Sequence, residues 1–517
     1  MPPPPITIGS ETTRHARYVS PRAACVENPR RALVLFAALA VAACTVGPDF
    51  HPPAVDVPAT WKDPSANTAG GSVTPHADPD PRWWRAFNDP TLDSLIDRAA
   101  AGNISFQQTI YRIAEARAQE QAQRAAGLPS LKGTGGYTRE KLGATGIFAG
   151  GGIAQTGAAS ELGAISSLTQ PIDFYQAGFD ASWELDLFGK IRRSVEQAGA
   201  QTQEQIENRN DSLVSLEAEV ARTYLQLRAN QALLRTTQDA AKAQADTLRI
   251  TQVRRRQGLA SQLDVDQALS RLTQTQSQLP QFQQQAEQSM NTLAVLTGQQ
   301  PGALDTELAT EHPIPSIPPG IPISLPATLV RRRPDIRNAE ATLHAATANI
   351  GIAVAQLYPD ISLSGEVGRS ALQFGALSNW SSTFYQFGPN ISLPIFQGGQ
   401  LRANVRLANA QQAEAALGYR QTVLSALQDV ENNLVALRND RARQRSLDQS
   451  VTIANNQLAV AQDRYRNGLA AFLDVLDAET TFINAQQDAI RGRLQLALDV
   501  AALYKAIGGG WQIAASS

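Results

Sequence analysis

The sequence is almost without cysteine. Cys25 and Cys44 are the only two in 517 residues, which rules out a disulfide framework, a redox pair or a thiolate metal site. Histidine is scarce as well: His15, His51, His76, His312 and His344 lie far apart, without metal-ligand spacing. Neither sign of charge dominates. The 45 Lys and Arg face 47 Asp and Glu, a formal net charge of -2, so there is no basic excess for nucleic acid. No apolar run reaches the ~20 residues of a membrane-spanning helix, and mean hydropathy is -0.23. Catalytic patterns are missing too. There is no Ser/His/Asp order and no Gly-rich Lys loop, and the glycine run within 149–152, Gly150 to Gly152, lacks a strand-to-helix context and reads as a loop. These absences argue against an enzyme and against a bound metal or cofactor. Alanine and glutamine are plentiful, a bias that long exposed helices would explain.

The longest apolar run is Ala32 to Ala43, with Arg30 and Arg31 before it and Val41-Ala42-Ala43-Cys44 closing it. A basic start, a short apolar core and small residues at the cleavage point make a secretory signal. Its Ala-Ala-Cys ending resembles a bacterial lipobox, which predicts a lipid on Cys44 as the first mature residue. Thr45, in place of Asp, resembles the pattern of lipoproteins sent to the outer membrane. Residues 1–29 are Pro-rich and polar and do not fit a leader. A start at Val26, if its codon is GTG, would give a compact one.

The most informative feature is an internal repeat. The run from Gln252 through Gly258, Leu259, Ala260 and Ser261 to Val265 aligns with Gln462 through Gly468, Leu469, Ala470 and Ala471 to Val475, an offset of 210 residues. Leu187-Phe188-Gly189 resembles Ile395-Phe396-Gln-Gly398, and Leu128-Pro129 resembles Tyr358-Pro359. The divisions are therefore an N-terminal extension and signal (1–43), an anchored segment (44–90), a first repeat (91–300), a Pro-rich linker (301–326), a second repeat (327–510) and a tail (511–517). The linker's Pro313-Ile-Pro-Ser-Ile-Pro-Pro-Gly-Ile-Pro predicts a stiff extended chain.

Each repeat reads helix, strand, strand, long helix, helix. Apolar and polar residues alternate in Phe179–Leu187, Ile361–Val367 and Tyr385–Leu393, and more weakly in Leu131–Lys141. Period-two alternation marks strands with one apolar face. Segments of about ten residues suit either a half-buried soluble sheet or tilted transmembrane strands. The long connections 142–169 and 369–383 resemble the outer loops of membrane barrels. Four strands cannot close a barrel, so a membrane reading requires oligomerisation. A dimer would supply eight strands and a trimer twelve.

From Lys190 to Arg256 there is no proline and one glycine, Gly199; from Gln400 to Arg466 the only glycine is Gly418. Each stretch would span about 100 Å as continuous helix. Coiled-coil spacing runs through Leu213, Leu216, Val220, Thr223, Leu227 and through Val423, Leu427, Val430, Leu434, Leu437. On the returning helices the expected seams are Val265, Leu269, Leu272, Gln276, Leu279 and Ile483, Gln487, Ile490, Leu494. Polar seam residues can fix register. Glycine after a basic last turn stops a helix, so Gly258-Leu259-Ala260-Ser261 and Gly468-Leu469-Ala470-Ala471 form hairpin tips. Such tips are either simple reversals or docking surfaces.

At this point the chain resembles the TolC-like outer membrane efflux proteins, specifically their lipoprotein branch. Cys44-Thr-Val-Gly-Pro-Asp-Phe-His-Pro-Pro looks like that branch's mature start, and Trp83-Trp84-Arg-Ala-Phe-Asn-Asp-Pro-Thr-Leu like its first-helix approach. Arg332-Arg333-Pro334-Asp335-Ile336 and Leu473-Asp-Val-Leu-Asp-Ala-Glu-Thr-Thr complete the match. The resemblance implies a mainly α fold with a small β part. In a homotrimer, one twelve-stranded barrel in the outer membrane would continue as a helical tunnel through the periplasm. A periplasmic adaptor would meet the tips and deliver cargo from an inner-membrane pump, with resistance-nodulation-division type expected. It also implies an acidic aperture, with Asp474 and Asp477 on one helix face, Asp264 as their counterpart in the first tip, and Tyr465 bonding across the closed aperture. The family's arginine two residues past the tip glycine is replaced by Ala470, leaving Arg256 or Arg466 as substitutes. A protein-secretion duct of the same fold, or a coiled-coil envelope scaffold, are the alternatives.

Overall fold

The computed structural model describes residues 45–54, 56–63, 73–75, 80–141, 170–318 and 320–511. The signal, Cys44, the glycine run within 149–152 and most of the tail fall outside them. In chain order the elements begin with strand β1 (Val73–Pro75), helices α1 (Pro90–Gly102) and α2 (Ile104–Ala126), and strands β2 (Ser130–Glu140) and β3 (Ile172–Leu185). The long helix α3 (Lys190–Arg256) and its return α4 (Gln262–Leu296) follow. A single turn α5 (Asp305–Leu308), strand β4 (Ile321–Ile323) and α6 (Pro326–Arg332) lead to α7 (Pro334–Ala355). Strands β5 (Asp360–Ala371) and β6 (Thr383–Ser392), long helix α8 (Gln400–Arg466) and its return α9 (Phe472–Ala506) complete the chain. The protein is mainly α with a small β part.

The two long helices have the bounds that the sequence predicts, because nothing between those residues breaks a helix. Both are 67 residues long, and both returns are 35. Each long helix starts at a glycine in the left-handed region, Gly189 at φ +83 and Gly399 at φ +87. Gly399, not Gly398, is thus the partner of Gly189. Asp186 caps α3, accepting from the backbone N–H of Ile191 at 3.1 Å and of Arg192 at 2.8 Å. That cap explains why β3 ends at Leu185, two residues short of the alternating run: Asp186 has turned to serve the helix.

The expected seam of α3 holds, with Leu213, Leu216, Val220, Thr223 and Leu227 all buried. On α8, Val423, Val430, Leu434 and Leu437 are buried and Leu427 is partly so. On α4 the seam differs from expectation. Val265, Ala268, Leu272, Thr275, Phe282, Ala286, Ser289 and Leu293 are buried, while Leu269 is 48% exposed and Gln276 is exposed. The spacing is still three and four, but it opens with a step of three. Small Ala268, Thr275 and Ser289 let α4 lie close to its partner, and the more conspicuous leucine points elsewhere. On α9 Gln487 does occupy the seam, where its Nε2 donates to Gln278 Oε1 at 3.2 Å and Thr237 Oγ1 at 3.3 Å. Those bonds tie α9 to both helices of the other hairpin in one register.

The sheet runs β2-β3-β5-β6, antiparallel throughout. Paired residues share a face, and over the helical half of the sheet the rows separate by chemistry, whereas toward the far end Arg139 pairs with Asp173 on the apolar face and Phe174 with Thr138 on the polar one. Lys132, Asp180, Glu366 and Gln386 form one row, and Ser130 pairs through Ser182 to Ser364 on the same face. The opposite face carries Tyr137 beside Tyr175, Phe179 beside Val367 and Tyr385, and Trp183 beside Leu363. Phe179, Val367, Tyr385, Phe387 and Ile391 are exposed on it. All four helix connections leave one end of the sheet, since Ser130 pairs with Ser182 and Asp360 with Ser392. At the far end stand exposed Phe374 and Trp380; at the helical end, exposed Ile395 and Phe396. Among the described residues β2 and β6 are open edges.

The main core lies midway along the helices. Trp83, Phe87, Leu92, Leu95 and Ile96 pack there with Tyr224 and Leu227 of α3, Leu293 of α4 and Leu503 of α9. The Pro-rich segment is extended, as its prolines dictate, but it is stapled into this core. Leu304, Leu308, Ile321 and Ile323 are at most 1% exposed, and β4 pairs in parallel with β1. Two chain turns meet here at backbone distance. Gly298, at φ +74, stands against the carbonyl of Gly102 where any Cβ would overlap it. A left-handed φ costs an L residue ~1–2 kcal/mol, and overpacking adds ~1–3 kcal/mol. Gly298→Ala is therefore expected to destabilise by about 2–5 kcal/mol, read as a lowered thermal midpoint; an unchanged midpoint would show that the two turns can separate.

Candidate functional site

Both hairpin tips are built alike. Leu259 N–H reaches back to Arg254 O at 2.8 Å and Gly258 N–H to Arg255 O at 2.9 Å, while Leu469 N–H reaches Arg464 O at 2.8 Å and Gly468 N–H reaches Tyr465 O at 3.1 Å. This is the pair of backbone hydrogen bonds that ends a helix when the next residue is left-handed. Gly258 and Gly468 supply it at φ +74 and +71. The leucines that follow are turned outward, Leu259 being 65% and Leu469 68% exposed. Ala260, Ser261, Ala470 and Ala471 complete the reversals. Each tip thus presents one bare leucine on a rigid turn.

The acidic residues near the tips have local duties. Asp264 and Ser261 form a reciprocal cap on α4: Asp264 N–H donates to Ser261 Oγ at 3.1 Å and Ser261 N–H to Asp264 Oδ2 at 2.8 Å. Asp474 makes half of that cap on α9, accepting from Ala471 N–H at 2.9 Å. The alanine has no hydroxyl to return the bond. Asp474 and Asp477 share one groove between α8 and α9 with Asn456, Gln457, Arg464 and Ala470. Asp264 belongs to the other hairpin and does not line that groove.

Tyr465 is half-buried beneath the second tip. Its ring lies 5.5 Å from that of Phe472, and the guanidinium of Arg254 sits 4.5 Å above it. Arg271 of α4 approaches Asp477 Oδ1 at 3.8 Å. The arginines that meet Tyr465 and Asp477 are therefore Arg254 and Arg271, while Arg256 and Arg466 are exposed. Sequence spacing could not find them. They cross from the first hairpin to the second, and a contact between helices so far apart in sequence leaves no local pattern. A carboxylate that the sequence motifs did not single out, Glu479, lies two residues past Asp477 on another face of α9 and is 6% exposed. Burial pushes its carboxyl above the ordinary glutamate range.

Among the described residues no helix is long and apolar enough to cross a membrane, and no group of three or more His, Cys, Asp or Glu could hold a metal. The chain is 32% identical over 487 residues to the solvent efflux pump outer membrane protein SrpC of Pseudomonas putida, across 93% of this chain and 99% of that protein. It is 33% identical over 489 residues to the pyoverdine export outer membrane protein OpmQ of Pseudomonas putida, across 94% and 98% respectively. The solved structure of the outer-membrane channel OprN shares the fold at a TM-score of 0.81 and 31% identity, covering 90% of this chain and all of that one (100%). The outer membrane efflux protein family matches residues 95–299 and 325–509. By sequence span and by fold, this chain belongs to the outer membrane efflux protein family and is the outer-membrane component of an efflux system.

Proposed function

We propose that three copies of this chain form one duct that carries small molecules from an inner-membrane pump to the exterior. The observation that carries this reading is the sheet. It has one apolar exposed face, one polar face and two open edges, and every helix leaves from the same end. Unpaired edges call for a partner strand. Three copies joined β6 to β2 would close twelve strands with the polar rows inward. Strands of 10 to 14 residues, tilted about 35–45°, suit an apolar band ~25 Å tall. Aromatic residues at both ends of the sheet fit the two interfaces of such a band. The helices carry matching bare surfaces: Leu407, Leu417, Leu424, Ile453 and Val460 of α8 and Leu269 of α4 are exposed. A second copy covers them in this arrangement, and the long hairpins extend the duct through the periplasm. In this reading the twofold element order reflects two tandem copies of one unit.

The anchor and the ends take their roles from the same reading. A lipid on Cys44 is the expected covalent group, and Thr45, next in the chain, lies against Gly189 where β3 gives way to α3. The tips Gly258–Ser261 and Gly468–Ala471, with Leu259 and Leu469 outermost, dock a periplasmic adaptor, behind which stands a pump of the resistance-nodulation-division type. Asp474 and Asp477, with Asp264 and Tyr465, form the aperture gate. The cargo is a drug or another small molecule. SrpC and OpmQ are named for a solvent and for pyoverdine, which are chemically unlike, so selection by the duct itself is weak.

Fractionated outer membranes should yield an unboiled trimer band that collapses to monomer on heating. A monomer before heating would sink the assembly. Replacing Leu259 and Leu469 with Asp is expected to cut cross-linking to the adaptor at least tenfold while leaving the trimer band intact; unchanged cross-linking would place docking elsewhere.

A further inference from the structure

We infer that a trough on the apolar face of the sheet seats one lipid whose headgroup carries a phosphate, gripped by Arg369. The inference rests on the reading of that face as the one turned toward the membrane. The trough measures about 570 Å³ and lies over Gly133 of β2, Ala177 and Phe179 of β3, and Val367 and Arg369 of β5. Small residues make its floor. The Phe179 ring leans over Gly133, in van der Waals range of where a side chain would begin, and Ala177 stands one row farther out. At the far end the connection from β5 to β6 folds back onto the same face. Its Phe374 meets the Tyr175 ring edge-on at 5.7 Å, and its Trp380, 81% exposed, borders the trough.

Arg369 is the odd member of this surface. Its row is otherwise uncharged, running Gly135, Ala177, Arg369, Thr383. A charge on a lipid-facing row is costly and calls for a partner. Arg139, nearer the far end of the same face, is met by Asp173 at 3.7 Å. Arg369 meets only carbonyls: Nη1 donates to Leu377 O and to Ser378 O, both at 3.1 Å. Those two bonds use up Nη1. Three of the guanidinium's five N–H donors remain, on Nε and Nη2, with no partner among the described residues. Neither nitrogen is among the unpartnered atoms sealed away from the surface, so a ligand can reach them. The Nε–Nη2 edge is the fork that takes a phosphate through two parallel hydrogen bonds. Arg369 stands two residues before the end of β5, ~7 Å along the strand. That is the level of Phe374 and Trp380, and aromatic side chains of this kind sit where headgroups meet the apolar band. A free phosphate would leave the trough bare, and an uncharged lipid would leave the fork bare. A phosphate-bearing lipid satisfies both.

Dioleoyl phosphatidic acid should be titrated into the intact detergent-solubilised protein and the bound lipids counted by native mass spectrometry. One saturable lipid per chain is expected. Dioleoylglycerol, with the same chains and no phosphate, and inorganic phosphate, with no chains, should each bind at least tenfold more weakly. Arg369→Gln keeps an N–H for the loop carbonyls but removes the charge and the fork, and should weaken phosphatidic acid at least tenfold. Ala177→Phe, on the exposed floor of the trough, should weaken it as much without touching any charge. Absence of saturable binding in the wild type, equal binding of the two lipids, or undiminished binding in either folded variant would overturn the site. The ratio of the two lipids and Ala177→Phe decide the matter even if Arg369→Gln fails to fold. The heat-sensitive trimer band reads the duct separately. An intact band without preference for the phosphate lipid sinks this site alone, and loss of the band from the wild type sinks the duct whatever the lipid count.

Discussion

Replacing Asp474 and Asp477 together with asparagine is expected to raise single-channel conductance in a planar bilayer and to lower cation preference. Asparagine is a cleaner choice than alanine. Asp474 Oδ2 holds the Ala471 N–H, and losing such a cap costs ~1 kcal/mol or more. Asparagine keeps the oxygen and removes only the charge. Asp477 faces Arg271 at 3.8 Å with both side chains substantially exposed, so each such pair contributes ~1 kcal/mol or less. Three copies around one axis would bias the closed arrangement by up to ~3 kcal/mol, which corresponds to up to about a hundredfold in open population. In the proposed trimer, rings of these carboxylates would favour cations and repel anions, which is why selectivity should fall with conductance rising. Unchanged conductance and unchanged selectivity would remove these two residues from the gate. Mutating Arg271 alone should give the smaller part of the conductance change and little of the selectivity change.

Glu217→Gln is expected to stabilise the protein by about 3 kcal/mol at pH 7. Glu217 lies in the main core at 3% exposure, and its Oε2 has no hydrogen-bond partner among the described residues. Gly510 fits against it because any larger residue would overlap that oxygen. Burial pushes its carboxyl up to about 9, with Arg209 only partly offsetting the effect. The folded protein therefore keeps this group protonated, whereas the unfolded chain releases the proton above ~4.5. Between those values the native state binds more protons than the unfolded one. Stability then falls as pH rises, by ~1.4 kcal/mol per unit until the folded pKa is reached. Glutamine is neutral in both states and removes that slope. Thermal midpoints measured from pH 5 to 9 should decline in the wild type and stay nearly level in the variant. A residual decline at the acid end is common to both, because burial and nearby Asp440 push Asp499 up to about 6. Parallel curves would show that Glu217 is ionised in the fold.

The parts of this protein that the sequence made legible are those fixed by local physics. An unbroken run of helix formers between Gly189 and Gly258 leaves one structure available, so α3 could be bounded to the residue, and α8 likewise. Alternation showed the strands. β3 and β5 nonetheless extend past their patterned segments, because Asp173 and Phe174 on β3 and Arg369 on β5 break the apolar–polar alternation without interrupting the ladder. The seam of α4 was misplaced by one residue at alternate positions, since leucines attract notice and Ala268, Thr275 and Ser289 do not. The tips were readable from Gly258 and Gly468, whose stop signals are local.

By itself, then, the sequence determined the order and length of the elements, the twofold offset of 210 residues, and the sites of reversal. Each of these depends on neighbours within a turn or two. Only the tertiary structure decided that Arg254 meets Tyr465 and Arg271 meets Asp477, that the Pro-rich segment is core, and that Glu217 is a buried acid. Those facts depend on which faces of antiparallel helices meet. That choice is made by packing over residues some two hundred positions apart, and no short-range pattern in the chain records it.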